Sequence, residues 1–145
     1  MLIVIFAQIE EYIKIDNSPG IMTENHFKTK SFQFALDVVE LCRDLQTTKK
    51  EFVLSNQLLR SGTAIGALYR EAQHAESGKD FIHKLSIAQK ESNETIYWLE
   101  LLNGSNLISK DKFERLNSIS IELIKMLTSI IKTSKAKQNR NPTPK

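Results

Sequence analysis

A single cysteine, Cys42, stands in a chain of 145 residues. That excludes an internal disulfide framework and any zinc site built on cysteines, and it suits a reducing, cytoplasmic setting. Proline and glycine are scarce, at three and five residues, and long helices are the natural use of such a composition. Long apolar runs are missing too. The opening Met1-Leu-Ile-Val-Ile-Phe-Ala7 is far short of the roughly 20 residues a membrane-spanning helix needs. It has no basic stretch before it and no small-residue cleavage site after it, so it does not read as a signal peptide. Acidic residues stop at Glu122, while Lys125, Lys132, Lys135, Lys137, Arg140 and Lys145 follow.

What is present is enough for one domain. The apolar share of 41% is ordinary for a globular chain, so a core can form. The formal net charge is +3. The acid-free end draws polyanions such as RNA, DNA or an acidic membrane surface, or else serves as a solvated tail. Near the start, Asn17-Ser18-Pro19-Gly20 is a turn signal, and Met22-Thr-Glu-Asn reads like a protein start. If translation begins there, residues 1–21 are an upstream extension. The loss of Glu10, Glu11, Asp16 and Lys14 would then raise the charge from +3 to +5. The alternative for residues 1–21 is a short strand or helix packed on the domain.

Four helical patterns follow, placing a domain at 22–134. The first runs from about Ser31, as N-cap, to Gln46, with Phe32, Ala35, Val38, Val39, Cys42 and Leu45 as its apolar stripe. The second begins at a Thr48–Glu51 capping box. Leu54, Leu58, Ile65, Leu68, Ala72 and Ala75 mark its stripe to about Glu76. The third begins at a Ser77–Asp80 capping box, carries Phe81, Leu85, Ala88, Ser92, Thr95, Leu99 and Leu102, and stops at Gly104. The fourth follows Ser109 with Asp111 in its first turn, and its stripe is Phe113, Leu116, Ser120, Leu123, Leu127 and Ile130. Residues 135–145 read as a disordered basic tail. Four amphipathic helices with short loops predict an all-α, antiparallel up-down-up-down bundle.

Chemistry-bearing clusters are few. Gly62-Thr-Ala-Ile-Gly66 puts small residues on one side of helix two, for close packing inside the bundle or between subunits. Tyr97 and Trp98 are adjacent and point to different sides of helix three. Either a wide apolar face takes both, or one lies at a second interface. Glu71-x-x-His74 and Asp80-x-x-His83 invite a di-iron interpretation. That site takes Glu-x-x-His from two helices and a carboxylate from two others, all facing inward. Here the two motifs flank one turn and His83 lies off the core stripe, so exposed polar residues are the better account, and no metal or cofactor is expected. Cys42 lies in an apolar stripe, where thiols are inert. Ser61 and Ser92 have no histidine at an activating spacing, so no catalytic residue is assigned. Lys79, His83 and Lys90 share one helical side, and Arg60 falls in line with Lys49, giving stripes that can meet phosphates.

Phe32-Gln-Phe-Ala-Leu36, Gln57-Leu-Leu-Arg-Ser-Gly-Thr-Ala-Ile-Gly66, Arg70-Glu-Ala72 and Asp80-Phe-Ile-His-Lys-Leu-Ser-Ile-Ala-Gln-Lys-Glu91 together resemble the 23S ribosomal RNA intervening-sequence proteins, from about Met22 to Lys132. The resemblance implies a bacterial cytoplasmic protein, a four-helix bundle and a ring-like homopentamer. That family is named for the place of its genes, within insertions in ribosomal RNA. Similar accessory proteins of diversity-generating retroelements bind nucleic acid and a reverse transcriptase through a basic surface. Carried over, this implies Arg60, Arg70, Lys79 and Lys84 as nucleic-acid contacts, to which the helix-three stripe adds Lys90. Many relatives carry Asn where this chain has Leu68, so packing is expected at that point. The expected function is a non-enzymatic homo-oligomer, with Tyr97 and Trp98 as interface candidates, that binds structured RNA or DNA. A scaffold for a protein partner is the alternative, and no membrane association is expected.

Overall fold

The computed structural model describes the backbone of residues 19–140 and the side chains of residues 25–140. Residues 1–18, most of the expected extension, lie outside the described residues, as do 141–145. Among the described residues there are four helices: α1 (Pro19–Thr48), α2 (Val53–Ala72), α3 (Gly78–Gly104) and α4 (Lys110–Arg140). Each packs on its chain neighbours, and α4 closes the square against α1. Cross-contacts show the direction of every pair, with Gly78 against Gln138 and Gln89 bonded to Thr128 for α3 and α4. Lys30 meets Glu122 while Asp37 meets Arg115. Gly62 lies against Val38 and Gly66 against Ser31. Ser61 bonds Thr95 while Glu71 faces Lys84. In each pair, rising numbers on one helix meet falling numbers on the other, so the topology is up-down-up-down.

The core is one cluster drawn from all four helices, including Phe34, Val38, Leu58, Ile65, Tyr69, Leu85, Leu99, Leu123 and Leu127. Helix three follows its expected stripe from Leu85 to Leu102, with Phe81 half-buried at the end. Helix four gains Ile131 beside Ile130. Leu68 packs against the core from its edge.

Helix one departs from expectation. It starts at Pro19, where a proline costs no hydrogen bond, so Ser31 is an interior residue and not a cap. Its hydroxyl donates to the Lys28 carbonyl and is buried against α2. The buried stripe is Phe27, Ser31, Phe34, Val38, Leu41, Cys42 and Leu45, while Phe32 is 40% exposed. A serine that bonds back to its own helix can occupy a core position, and this shifts the apolar face away from Phe32.

The start of helix two is also corrected. Thr48 closes α1 by donating to the Asp44 carbonyl. Lys50 then takes a left-handed conformation, φ 53°. The Glu51 carboxylate accepts from the amides of Val53, Leu54 and Ser55 at 2.8–3.1 Å, so it caps α2 by itself. The helix ends at Ala72, and its core face uses Tyr69, whose ring lies 4.7 Å from that of Phe27. Ser77 caps α3 as expected, its Oγ accepting from the Asp80 amide, but the Asp80 carboxylate reaches one residue further back than a capping box requires and accepts from the Glu76 amide. Ser109 caps α4 through the Lys112 amide. Finally, the segment Lys135–Arg140 is helical, where an irregular tail was expected. Gln138 of this segment lies against Gly78, where a β-carbon would collide with its amide nitrogen.

Candidate nucleic-acid interface

The five basic residues singled out on α2 and α3 fall into different surroundings. Arg70 lies over the exposed Phe32 ring, 5.6 Å from its centre, in a cation–π contact. Lys84 sits 3.8 Å from Glu71 and 3.9 Å from Asp80, so its charge is locally offset. Arg60 is exposed and forms no ion pair among the described residues, but it adjoins Ser61 and Thr95, toward the opposite half of the bundle from Lys79. Its supposed alignment with Lys49 fails, because Lys49 lies in the α1–α2 loop and not on α2. Lys79 and Lys90 are exposed, on the outer side of α3, and neither forms an ion pair among the described residues.

Three further cations join them. Lys125, Lys132 and Lys135 are exposed on α4. Their spacing, with Thr128 between, follows the three- and four-residue step of one helical face. Thr128 accepts a hydrogen bond from Gln89 Nε2 of α3 at 2.6 Å, so this face borders α3. The matching stripe on α3 is Lys79, His83, Ser86 and Lys90, all exposed. Asp80 is turned away from it toward α2, where it caps and meets Lys84. In the sequence the α4 lysines stand out only as members of the acid-free end that follows Glu122. Their helical spacing was the signal that would have placed them on a folded face.

The remaining sequence candidates separate clearly. Tyr97 is 52% exposed. Trp98 is half-buried against the core, and its Nε1 donates to Glu94 at 3.2 Å. Their rings meet edge-on at 5.0 Å. A single wide apolar face therefore does not take both. Around His74, an open depression of about 710 Å³ is lined by Arg70, Glu71, His74, Glu76, Asp80 and Lys84. Among the described residues, no three His, Cys, Asp or Glu side chains are grouped to hold a metal ion. Cys42 is buried, and its Sγ donates to the Ser55 carbonyl at 3.2 Å. Burial, reinforced by the negative charge of Glu51, pushes its thiol up from 9.0 to about 12. It stays a neutral thiol in physiological conditions.

The family profile described as 23S rRNA-intervening sequence protein matches residues 23–129. The chain belongs to this family. The chain is also similar to the crystal structure of a protein of unknown function from Bacteroides thetaiotaomicron, described as from the S23 ribosomal protein family. The two are 52% identical, with a TM-score of 0.76, over 77% of this chain and 99% of that one. No curated protein matches the chain. Among the described residues no helix is long and apolar enough to cross a membrane.

Proposed function

We propose that this intervening-sequence protein is a non-enzymatic, cytoplasmic homo-oligomer that binds structured RNA or another nucleic acid through its basic helix faces. One observation carries this reading. Exposed lysines that form no ion pair among the described residues gather on α3 and α4, and no acidic residue follows Glu122. Such a surface binds phosphates by displacing their counterions, independently of base sequence. Assembly is supported by exposed apolar side chains on two helices that do not touch, Phe32 and Leu36 on α1 and Tyr97 and Leu101 on α3. Two different patches facing apart suit head-to-tail association, which forms a ring, such as the pentamer the resemblance implies, when the rotation between subunits closes.

The test is binding to structured RNA across a salt series, with Lys137→Gln, Arg140→Gln and Lys145→Gln combined in a second protein to remove the end cations outside the face. A steep loss of affinity with salt, retained in that variant, supports the proposal. Absence of binding at low salt rejects it. Light scattering on the eluting protein should give a mass several times 16.6 kDa, and a clean monomer at micromolar concentration rejects the oligomer. A protein-interaction scaffold is the alternative, favoured by Phe52 and Val53, which are 52% and 72% exposed at the α1–α2 corner.

A further inference from the structure

We infer that the α3–α4 face takes a nucleic-acid duplex, gripped by its two phosphate strands and not by its bases. This rests on the nucleic-acid function proposed above and adds the place and the ligand. Two rows of cations run side by side, Lys79 and Lys90 on α3, with His83 between them, and Lys125, Lys132 and Lys135 on α4. At a rise of about 1.5 Å per residue, Lys79 and Lys90 lie about 16 Å apart and Lys125 and Lys135 about 15 Å apart. The rows belong to packed helices whose axes are typically about 8–10 Å apart. Their register is held by the Gln89–Thr128 hydrogen bond and by Gln138 against Gly78. The cations are thus set on two rigid, roughly parallel tracks, the arrangement needed to follow two phosphate strands.

What the face lacks decides between duplex and single strand. Single strands are held by stacking bases on aromatic rings. No Phe, Tyr or Trp interrupts either cation row; the first aromatic in line is Tyr97, two turns beyond Lys90, with its ring edge against Trp98. The side chains beside the cations are Ser86, Gln89 and Thr128. The Ser86 and Thr128 hydroxyls give their protons to the Ile82 and Ile124 carbonyls, so their oxygens and the Gln89 amide are left to meet 2′-hydroxyls, by which RNA duplexes are recognised. Lysine, a point charge on a flexible stem, holds phosphate without reading sequence.

The experiment measures binding of the full chain to a short RNA duplex, to the same DNA duplex and to one RNA strand alone, each across a salt series. Two variants accompany it: Lys90→Gln with Lys132→Gln on the face, and Arg43→Gln with Lys49→Gln away from it, at the end of α1 and in the loop after it. All four positions are exposed, and circular dichroism confirms folding. The expected result is tighter binding of duplex than of single strand. The face variant should lower the salt slope by about 2, since each lost phosphate contact removes about 0.9, and weaken duplex binding tenfold or more. The remote variant should bind like the parent. Equal or tighter binding of the single strand overturns the duplex assignment. Loss through the remote pair, or none through the face pair, overturns the location. Failure of every probe to bind at low salt overturns the nucleic-acid function itself.

Discussion

Gly62 lies so close to Val38 that a β-carbon on the glycine would sit 3.0 Å from both valine γ-carbons. Val38 is fully buried, and its branched side chain has little rotamer freedom in a helix. Two effects oppose each other in Gly62→Ala. The methyl improves helix propensity by about 1 kcal/mol, but overpacking a filled core costs about 1–3 kcal/mol. A net destabilisation of about 1 kcal/mol is expected, relieved in the background of Val38→Ala. Urea unfolding of the four proteins in the cycle measures it. A Gly62→Ala protein more stable than the parent would show that α1 can move away at no cost.

Ser61 and Thr95 form a buried hydroxyl pair across α2 and α3. Thr95 Oγ1 donates to Ser61 Oγ at 3.0 Å, and both residues are fully buried. Thr95→Val alone should destabilise by about 1 kcal/mol, because it leaves a buried serine short of a partner. Ser61→Ala combined with Thr95→Val should lose less than the sum of the single changes. Strict additivity in the double-mutant cycle would mean that the pair is not coupled.

Glu51 and Thr48 make opposite predictions for the start of α2. Glu51 serves three amides, whereas Thr48 bonds back into α1. Glu51→Ala should therefore cost about 1 kcal/mol, as caps do. Thr48→Ala should cost clearly less. Thermal unfolding of the two variants would reverse this order if Thr48 were the cap.

Cys42 links stability to alkaline pH. In the unfolded chain its thiol ionises near 9.0, and in the folded protein near about 12. The folded state therefore keeps its proton where the unfolded state loses it. The stability owed to the neutral thiol is complete below about pH 9 and falls as the pH rises toward 12. The urea midpoint of the parent should drop more between about pH 8 and about pH 10 than that of Cys42→Ala. Thiol reagents should label Cys42 only after unfolding; rapid labelling of the folded protein would contradict its burial.

Much of the bundle was legible because its periodicity was unambiguous. On α3, Leu85, Ala88, Ser92, Thr95, Leu99 and Leu102 recur at steps of three or four, and the Ser77–Asp80 pair announces the start. On α1 the same rule was misled. Phe32 and Phe34 are both large and apolar, and only inclusion of Ser31 in the buried stripe selects Phe34. Hydropathy does not credit a serine that satisfies its own hydroxyl. Near Thr48, the spacing of a capping box was present, but the chain used only its carboxylate, three residues later. The basic face was half legible: the α3 stripe could be read from spacing, while on α4 Lys125 and Lys132 fell off the apolar stripe of the expected helix and Lys135 in the expected disordered tail.

By itself, the sequence determined the helical class, the number of helices described, their short connections and the family, because all of these follow from local period, caps and residue order. Only the tertiary structure decided which cations stand unpaired side by side. It turned Lys84 toward Glu71 and Asp80, laid Arg70 over Phe32, and brought Lys79 and Lys90 beside Lys125, Lys132 and Lys135. The α3 and α4 rows of that face lie some forty residues apart along the chain, as Gln89 and Thr128 do. Their juxtaposition depends on how two helices pack, which local pattern does not encode.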